Sequence, residues 1–480
     1  MERVIVLGGA GFIGSHLSDL LIEQGKKVLI FDNLTEQVHG PDKVWPEYLP
    51  TDAPPEGMQF WFGDIRDTAA LMGALLEFRP DTIIHLAARV GVGQSNYMVA
   101  DYVSGNVTAT AILLHCLISY NVLVSERAEG LAGIEADSGD GEPVVRGFVE
   151  EPRHLEVHEL FEAGDEIRLF NDVWTEWMAL PEGLVGTEFT KWDADEEYRR
   201  PSELVKRVVF ETQEEANLRH VAELAALKED LTKNYPDQKV TQLFVAGSMS
   251  SYGEGAYMLG HPDGTYSHTR SPVEAVPVGT KEKDELQPAS VYAMNKRDQE
   301  QLSLMVGRMH GLDVRVGRFF NVLGSRQALS NPYTGVAAIF ASRVIAGKPP
   351  RIYEDGEQSR DFIHVSDVCS AIVAIMDGGT PGHVYNVGTG DSTSVAALAQ
   401  MISAALDYKG PMEITGQYRA GDIRHCFADA SKLKALGWEP QVSVMSAVVE
   451  TCDWVRQEIA SDKHGGEQAH DELLSRGLLS

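Results

Sequence analysis

The sequence predicts an α/β protein: a doubly wound parallel sheet, a smaller C-terminal α/β domain, and an inserted α+β module. Three observations carry this. Val4-Ile5-Val6-Leu7 is a continuous apolar run, as a strand buried on both faces should be, and a glycine-rich turn and an apolar-periodic helix follow it at once. Similar runs recur at Lys27 to Phe31, Gln59 to Ile65, Thr82 to Ala88 and Thr241 to Gly247, with helix-like segments among them, the alternation that makes a parallel sheet. A stretch of different composition, residues 126–239, interrupts the alternation.

The first unit is the most explicit. Gly8-Gly9-Ala10-Gly11-Phe12-Ile13-Gly14 opens a helix that runs from Ser15 to about Gln24, and the next strand ends in Asp32-Asn33. Glycines at 8, 11 and 14 permit a tight turn, close backbone approach to a pyrophosphate, and close packing of helix on strand. The helix start at Phe12 and Ile13 offers N–H groups and a positive dipole end. Asp32 stands 18 residues after Gly14. A carboxylate there accepts hydrogen bonds from an adenosine ribose and repels a 2′-phosphate, so the expected cofactor is NAD on a Rossmann-type sheet. Asp64 and Ile65, at the end of the third strand, fall near the adenine. The small residues of Leu86-Ala87-Ala88, ending the fourth, let backbone approach the cofactor. A helix over about Ala100 to Tyr120 follows, with Asn106 in its early turns.

The composition bounds the partners. The chain has 480 residues, 43% hydrophobic and 23% charged, enough for two or three domains. A net charge of -30 argues against broad binding to nucleic acid or an anionic membrane. It leaves room for an anionic ligand held by a local arginine cluster. Cys116, Cys369, Cys426 and Cys452 are scattered, with no CxxC, which fits a reducing cytoplasm and gives no metal-site spacing. The N-terminus has no signal-peptide pattern. Ala109 to Val124 is apolar but contains His115, Ser119, Tyr120 and Asn121; it reads as a buried helix rather than a membrane span.

Residues 126–239 hold 29 acidic and 13 basic residues, about half of the net charge. Glu126 to Pro143 reads as a Gly- and acid-rich linker. Val144 to Trp192 reads as a few strands with a short helix, and Ser202 to about Asn234 as a long amphipathic helix capped by Ser202. The insertion joins a helix to a strand, so it belongs at the N-terminal edge of the sheet, away from the ligand edge. A peripheral or oligomer-extending module is expected.

The second half carries the chemistry. Ser290-Val291-Tyr292-Ala293-Met294-Asn295-Lys296 puts a tyrosine and a lysine on one helix face. A free tyrosine has a pKa of about 10, so a phenolate near neutrality needs nearby positive charge. The lysine and a cationic nicotinamide supply it in this reading. Ser248 sits at a strand end in Ala246-Gly247-Ser248-Met249-Ser250-Ser251-Tyr252-Gly253.

The order GxxGxxG, Asp-Ile, His-Leu-Ala-Ala, Asn, Tyr-x-x-x-Lys resembles the extended short-chain dehydrogenase/reductases, within them the nucleotide-sugar epimerase/dehydratase group. The likeness covers about residues 1–125 and 240–460. It implies that Ser248 bonds the reacting sugar hydroxyl, that Tyr292 is the proton-transfer group, and that Lys296 lowers the tyrosine pKa and holds the nicotinamide ribose. It also implies that Phe319 and Phe320 back the nicotinamide, and that Asn321, Arg360 and Arg419 reach the diphosphate. Asp422 would bind the ribose. His425 reads as structural.

Where dehydratases of the group resemble Thr-Asp-Glu after the serine position, this chain has Met249 and Ser250. With no acid pair, the resemblance implies a 4-epimerase, of the dTDP-L-rhamnose or UDP-glucose type. The loop from Gly253 to Leu286 contains His261, His268 and Arg270 but no cysteine, so no structural zinc is expected. The implied partners are a nucleotide-diphosphate sugar and a second copy of the chain, docked through helices 100–120 and 292–310. The expected division is 1–125 with 240–320 for NAD, 126–239 for the acidic module, 321–460 for the nucleotide-sugar, and a tail at 461–480.

Overall fold

The computed structural model describes residues 1–40, 42–137, 166–171, 174–179, 187–189, 205–208, 238–259, 275–329, 335–417 and 422–460. The chain divides into two compact units, Met1–Val124 with Gln238–Ser480, and Ser125–Asp237.

The first unit is built on a seven-stranded sheet. Its strands are β1 (Arg3–Leu7), β2 (Lys27–Asp32), β3 (Met58–Phe62), β4 (Thr82–His85), β5 (Gln242–Ser248), β6 (Asp313–Phe319) and β7 (Val384–Val387). Their order is β7-β6-β5-β4-β1-β2-β3, and every neighbouring pair is parallel. The order reverses between β1 and β4, so the crevice where such sheets bind ligands opens at their C-terminal ends. The alternation read from the sequence is therefore a doubly wound α/β sheet.

Local signals explain the flanking helices. The helix α1 (Phe12–Glu23) starts directly from the glycine turn. After α2 (Glu36–His39), α3 (Thr68–Phe78) is capped by Asp67, whose carboxylate accepts from the N–H groups of Ala69 and Ala70. Two short helices, α4 (Val92–Ser95) and α5 (Val99–Tyr102), follow β4. The next segment, Val103–Thr108, is a π-helical turn, and α6 (Ala109–Asp137) runs on from it.

One helix expected over 100–120 is thus three segments, and its last extends further. Residues 126–137, read from their acid and glycine content as a linker, are helical: good helix formers such as Glu126, Ala128, Glu129 and Leu131 outweigh two glycines. Val99–Ser125 is long and apolar enough to cross a membrane by length and composition, yet half of that window is buried in the protein. Leu113, Leu117 and Tyr120 on its inner face are sealed in the core, which accounts for its hydropathy.

In the second unit, Glu166–Asn171 pairs antiparallel with Trp174–Ala179, and Thr187–Phe189 with Val205–Val208. The strands expected between 144 and 192 are present. The helix expected from Ser202 is not formed at Val205–Val208, where Val-Lys-Arg-Val suits a strand. The remainder of that expected helix, its Ser202 cap and the short helix before Trp192 lie outside the described residues, as does the tail 461–480.

The helix α7 (Val291–His310) starts at Ser290, whose hydroxyl accepts from Ala293 N–H, and ends at Gly311 with a left-handed φ of 67°. Two apolar cores cover the two faces of the sheet. A third core joins the helices Val336–Ile345, Val395–Ala405 and Val444–Ala460 of the C-terminal part. There the short strand Ser359–Arg360 lies between Thr393–Ser394 and His425–Cys426.

Candidate active site

The site begins at the switch point. Gly8 has φ 79°, and a Cβ on it would stand 2.7 Å from the Ala87 backbone nitrogen. Only glycine brings the turn after β1 this close to the loop after β4. Gly11 is the N-cap of α1 with no side-chain cap, and the first turn holds no acid. The N–H groups at Phe12 and Ile13 are therefore available to an anion. Asp32, 8% exposed, accepts from Ala10 N–H at 3.0 Å and Leu34 N–H at 2.9 Å. A carboxylate has about four lone-pair sites, so capacity remains for ribose hydroxyls. Burial pushes the Asp32 carboxyl up, against the opposing pull of His39 and of the Leu34, Ala10 and Asn33 N–H groups.

On the adenine side, Asn33 donates to Asp64 at 2.9 Å. Arg66 forks onto the same carboxylate and holds it well below the usual range. Ile65 is buried beside them, while Leu86, Ala87 and Ala88 are half-buried at the groove. Asn106 acts indirectly: it is fully enclosed, its Oδ1 accepts from Arg89 N–H at 2.7 Å, and its Nδ2 donates to the Arg89 carbonyl at 3.1 Å. The π turn aims this amide at the loop after β4 and so fixes the wall of the groove.

At the other end, α7 brings the Tyr292 phenol under the influence of the Ser248 hydroxyl. The Ser248 oxygen also accepts from Ser250 N–H at 3.1 Å. Lys296, 4% exposed, donates to the Ala246 carbonyl at 2.9 Å. Burial raises the phenol of Tyr292, which the Ser248 hydrogen bond opposes, and lowers Lys296 to about 8. The lysine thus bonds Ala246, and burial sets the direction at Tyr292, where the sequence leads one to expect lowering by Lys296 together with a cationic nicotinamide. Phe319, 8% exposed, stacks on Phe244 with centroids 6.0 Å apart and backs this end of the groove with Phe320.

The groove fits NAD along its length: an uncapped helix start, an acid with spare acceptor capacity, and a buried lysine at the nicotinamide end.

The diphosphate residues divide. Asn321 keeps a buried Oδ1 with no hydrogen-bond partner; that oxygen only accepts, so a contact with a diphosphate would fall to its NH2 group. Arg360 does not stand free. Its Nη2 donates to Ile423 O at 2.6 Å and Asp422 at 3.2 Å, and its Nη1 to Ser359 O at 2.9 Å and Arg424 O at 3.1 Å. Asp422, expected on a ribose, is Arg360's ion-pair partner. Arg419, His261, His268 and Arg270 lie outside the described residues. His425 accepts or donates with Ser359 at 2.8 Å, and burial, reinforced by Arg424 and Arg360, lowers it to about 4, so it is neutral and structural.

Several residues of the site escaped the sequence reading. Ser95 and Asn96 cap the N–H groups of Tyr292 and Val291 at 3.0 and 3.3 Å. His85 is buried with Thr110 and Gln299 behind Lys296; desolvation, helped by the Lys296 charge, lowers it to about 3. The signal for this cluster was a histidine inside an apolar strand, with Asn295 and Gln299 three and seven residues beyond Tyr292 on its own helix face.

A dinucleotide groove that ends at a Ser–Tyr–Lys set defines a short-chain dehydrogenase/reductase centre. The chain matches the NAD dependent epimerase/dehydratase family over residues 211–388 and GDP-mannose 4,6 dehydratase over 5–128. A dTDP-L-rhamnose 4-epimerase of Burkholderia thailandensis is 25% identical over 95% of this chain and 96% of its own length. A UDP-glucose 4-epimerase of Mycolicibacterium smegmatis is 33% identical over 37% of this chain and 56% of its own. Among solved structures, UDP-glucose 4-epimerase of Thermotoga maritima has a TM-score of 0.60 at 22% identity, covering 95% of this chain and 99% of its own. UDP-glucuronic acid 4-epimerase of Bacillus cereus, with UDP-glucuronic acid and NAD, has a TM-score of 0.60 at 18% identity, covering 95% and 100%. The chain belongs to the NAD-dependent nucleotide-sugar epimerase/dehydratase family of extended short-chain dehydrogenases/reductases.

Proposed function

We propose that the protein is a nucleotide-sugar 4-epimerase acting on a dTDP-L-rhamnose- or UDP-glucose-type substrate. The observation that carries the reading is the surroundings of Ser248. Met249 is 7% exposed and packs among Tyr252, Phe320 and Ile423, and Ser250 meets Ser248 through its backbone N–H. Neither can serve as the acid or base that elimination of water requires. Ser248 and Tyr292 together can hold the C4 hydroxyl and accept its proton.

Bound NAD supplies a two-electron acceptor and donor at C4, held by the Gly8–Gly14 turn, Asp32 and Lys296. Tyr292 takes the proton as C4 is oxidised and returns it once the other face of the 4-keto sugar is presented. Ser248 keeps the oxygen in reach through both halves. Asn321 meets the diphosphate, with Arg419 completing that contact. Arg360 orders the Asp422–Arg424 segment from below.

The subunit is proposed to dimerise through α5–α6 and α7. Val99, Val103 and Val122 on one side and Met294, Met305 and Met309 on the other are 38–73% exposed, an apolar surface suited to a four-helix interface. A reducing cytoplasm is the proposed setting, given four free cysteines and no CxxC.

Purified protein incubated with a panel of dTDP- and UDP-sugars should invert C4, followed by NMR. A 4-keto-6-deoxy product from dTDP-glucose, seen as absorbance in alkali, would instead make the chain a dehydratase of the same family.

A further inference from the structure

The strands β4 and β2 lie on opposite sides of β1 in the sheet. A bond between a residue after β2 and one after β4 therefore passes over the end of β1, which is the glycine turn that receives the cofactor's pyrophosphate. Such a bond is present. In α2, Gln37 donates from Nε2 to Oε1 of Gln94 in α4 at 2.9 Å. Tyr102, fully buried, donates its hydroxyl to the same Oε1 at 3.0 Å and lies 2.9 Å from the Val90 carbonyl.

Both ends of the bridge are anchored. On one side, Asp32 holds Leu34 N–H, which fixes the start of the loop that carries Gln37. On the other, Ser95 bonds the Val92 carbonyl at 2.7 Å and caps Tyr292 N–H at 3.0 Å, with Asn96 on Val291 N–H. The segment from Gly91 to Asn96 thus spans from the catalytic helix to the adenosine-side loop, and Gln94 is the residue that completes the span. Gly91 has φ 137°, a conformation that L side chains rarely adopt.

We infer that the Gln37–Gln94 bridge closes the dinucleotide groove from above and retains NAD between turnovers. The two amides are positioning residues. They need touch no reacting atom; they set the rate at which the groove opens. Only the acceptor oxygen of Gln94 is used in the two bonds, so its NH2 group is dispensable to the bridge.

The test reads NAD release with no sugar present, so its outcome is independent of the substrate assignment. Holoenzyme is chased with excess labelled NAD and the exchange rate is followed. Gln94→Leu and Gln37→Leu should each speed release about fivefold, since each breaks the one hydrogen bond that crosses the groove. The double variant should be no faster than either single one. Gln94→Glu keeps the acceptor and should stay within about twofold of the parent. Parent-like release in both Leu variants, multiplicative effects in the double variant, or fast release in Gln94→Glu would each overturn the bridge.

Discussion

Arg318 grips Glu300 through two hydrogen bonds, Nη2 to Oε1 at 2.6 Å and Nε to Oε2 at 2.9 Å, with 3% and 1% of the side chains exposed. The guanidinium also lies 4.7 Å over the Tyr252 ring. This pair ties the catalytic helix to β6, next to the strand that carries Ser248. Removing one partner strands a buried charge, so Glu300→Ala should cost roughly 3–5 kcal/mol. Chemical denaturation should show it as a lower midpoint, and replacing both residues by apolar ones should recover most of the loss.

Tyr292→Phe deletes only a hydroxyl whose partner, Ser248, keeps its bond from Ser250 N–H. The fold and bound NAD should be retained. Turnover should fall by roughly 10²–10⁴, the usual scale for a lost proton-transfer group. Ser248→Ala should lose less, since the phenol remains. Steady-state rates together with the NAD content of the purified variants check both.

Lys296 gives a pH dependence with a definite sign. Its folded pKa of about 8 lies below the unfolded value of 10.5. The penalty for burying the ammonium is therefore full below pH 8 and relieved as pH rises towards 10.5. Relative to Lys296→Met, the cofactor-free protein should gain about 2 kcal/mol between pH 8 and 10, at about 1.4 kcal/mol per unit. Above pH 10 the raised phenol of Tyr292 acts in the opposite sense, so the comparison belongs below it. Denaturant midpoints of both proteins across that range would show a flat difference if the lysine were not perturbed.

Met305 and Met309 are 51% and 73% exposed on α7. Replacing both by lysine should leave the monomer's stability unchanged within about 0.5 kcal/mol, as for surface sites in general. It should split the proposed dimer, read as a halved mass in solution. An unchanged mass would place any interface elsewhere.

The parts of the site that rest on chain-local chemistry were legible in the sequence. A glycine turn between a strand and a helix, an acid at the next strand end, and a tyrosine and lysine on one turn each state their geometry within a few residues. Roles that depend on long-range partners were not. Nothing around Arg360 announces that four internal acceptors occupy its guanidinium, because these come from residues 359 and 422–424. The same holds for Lys296, whose partner is the Ala246 carbonyl fifty residues away. Helix content in the insertion was misread in both directions: glycine and acid content hid the continuation of α6, and amphipathic spacing hid a strand at Val205–Val208.

The π turn at Val103–Thr108 sets a phase. It holds one residue more than an α-helical turn would, and that surplus points Asn106 at the backbone of Arg89. Excising a single residue there would let the helix close into an ordinary α-helix with its ladder intact. Its flanks would keep their faces, but the surplus that points Asn106 at Arg89 would be gone. Such a chain could remain well folded and helical by circular dichroism while its cofactor groove lost a wall. In this segment the reading frame of the helix, more than its stability, is what the cofactor depends on.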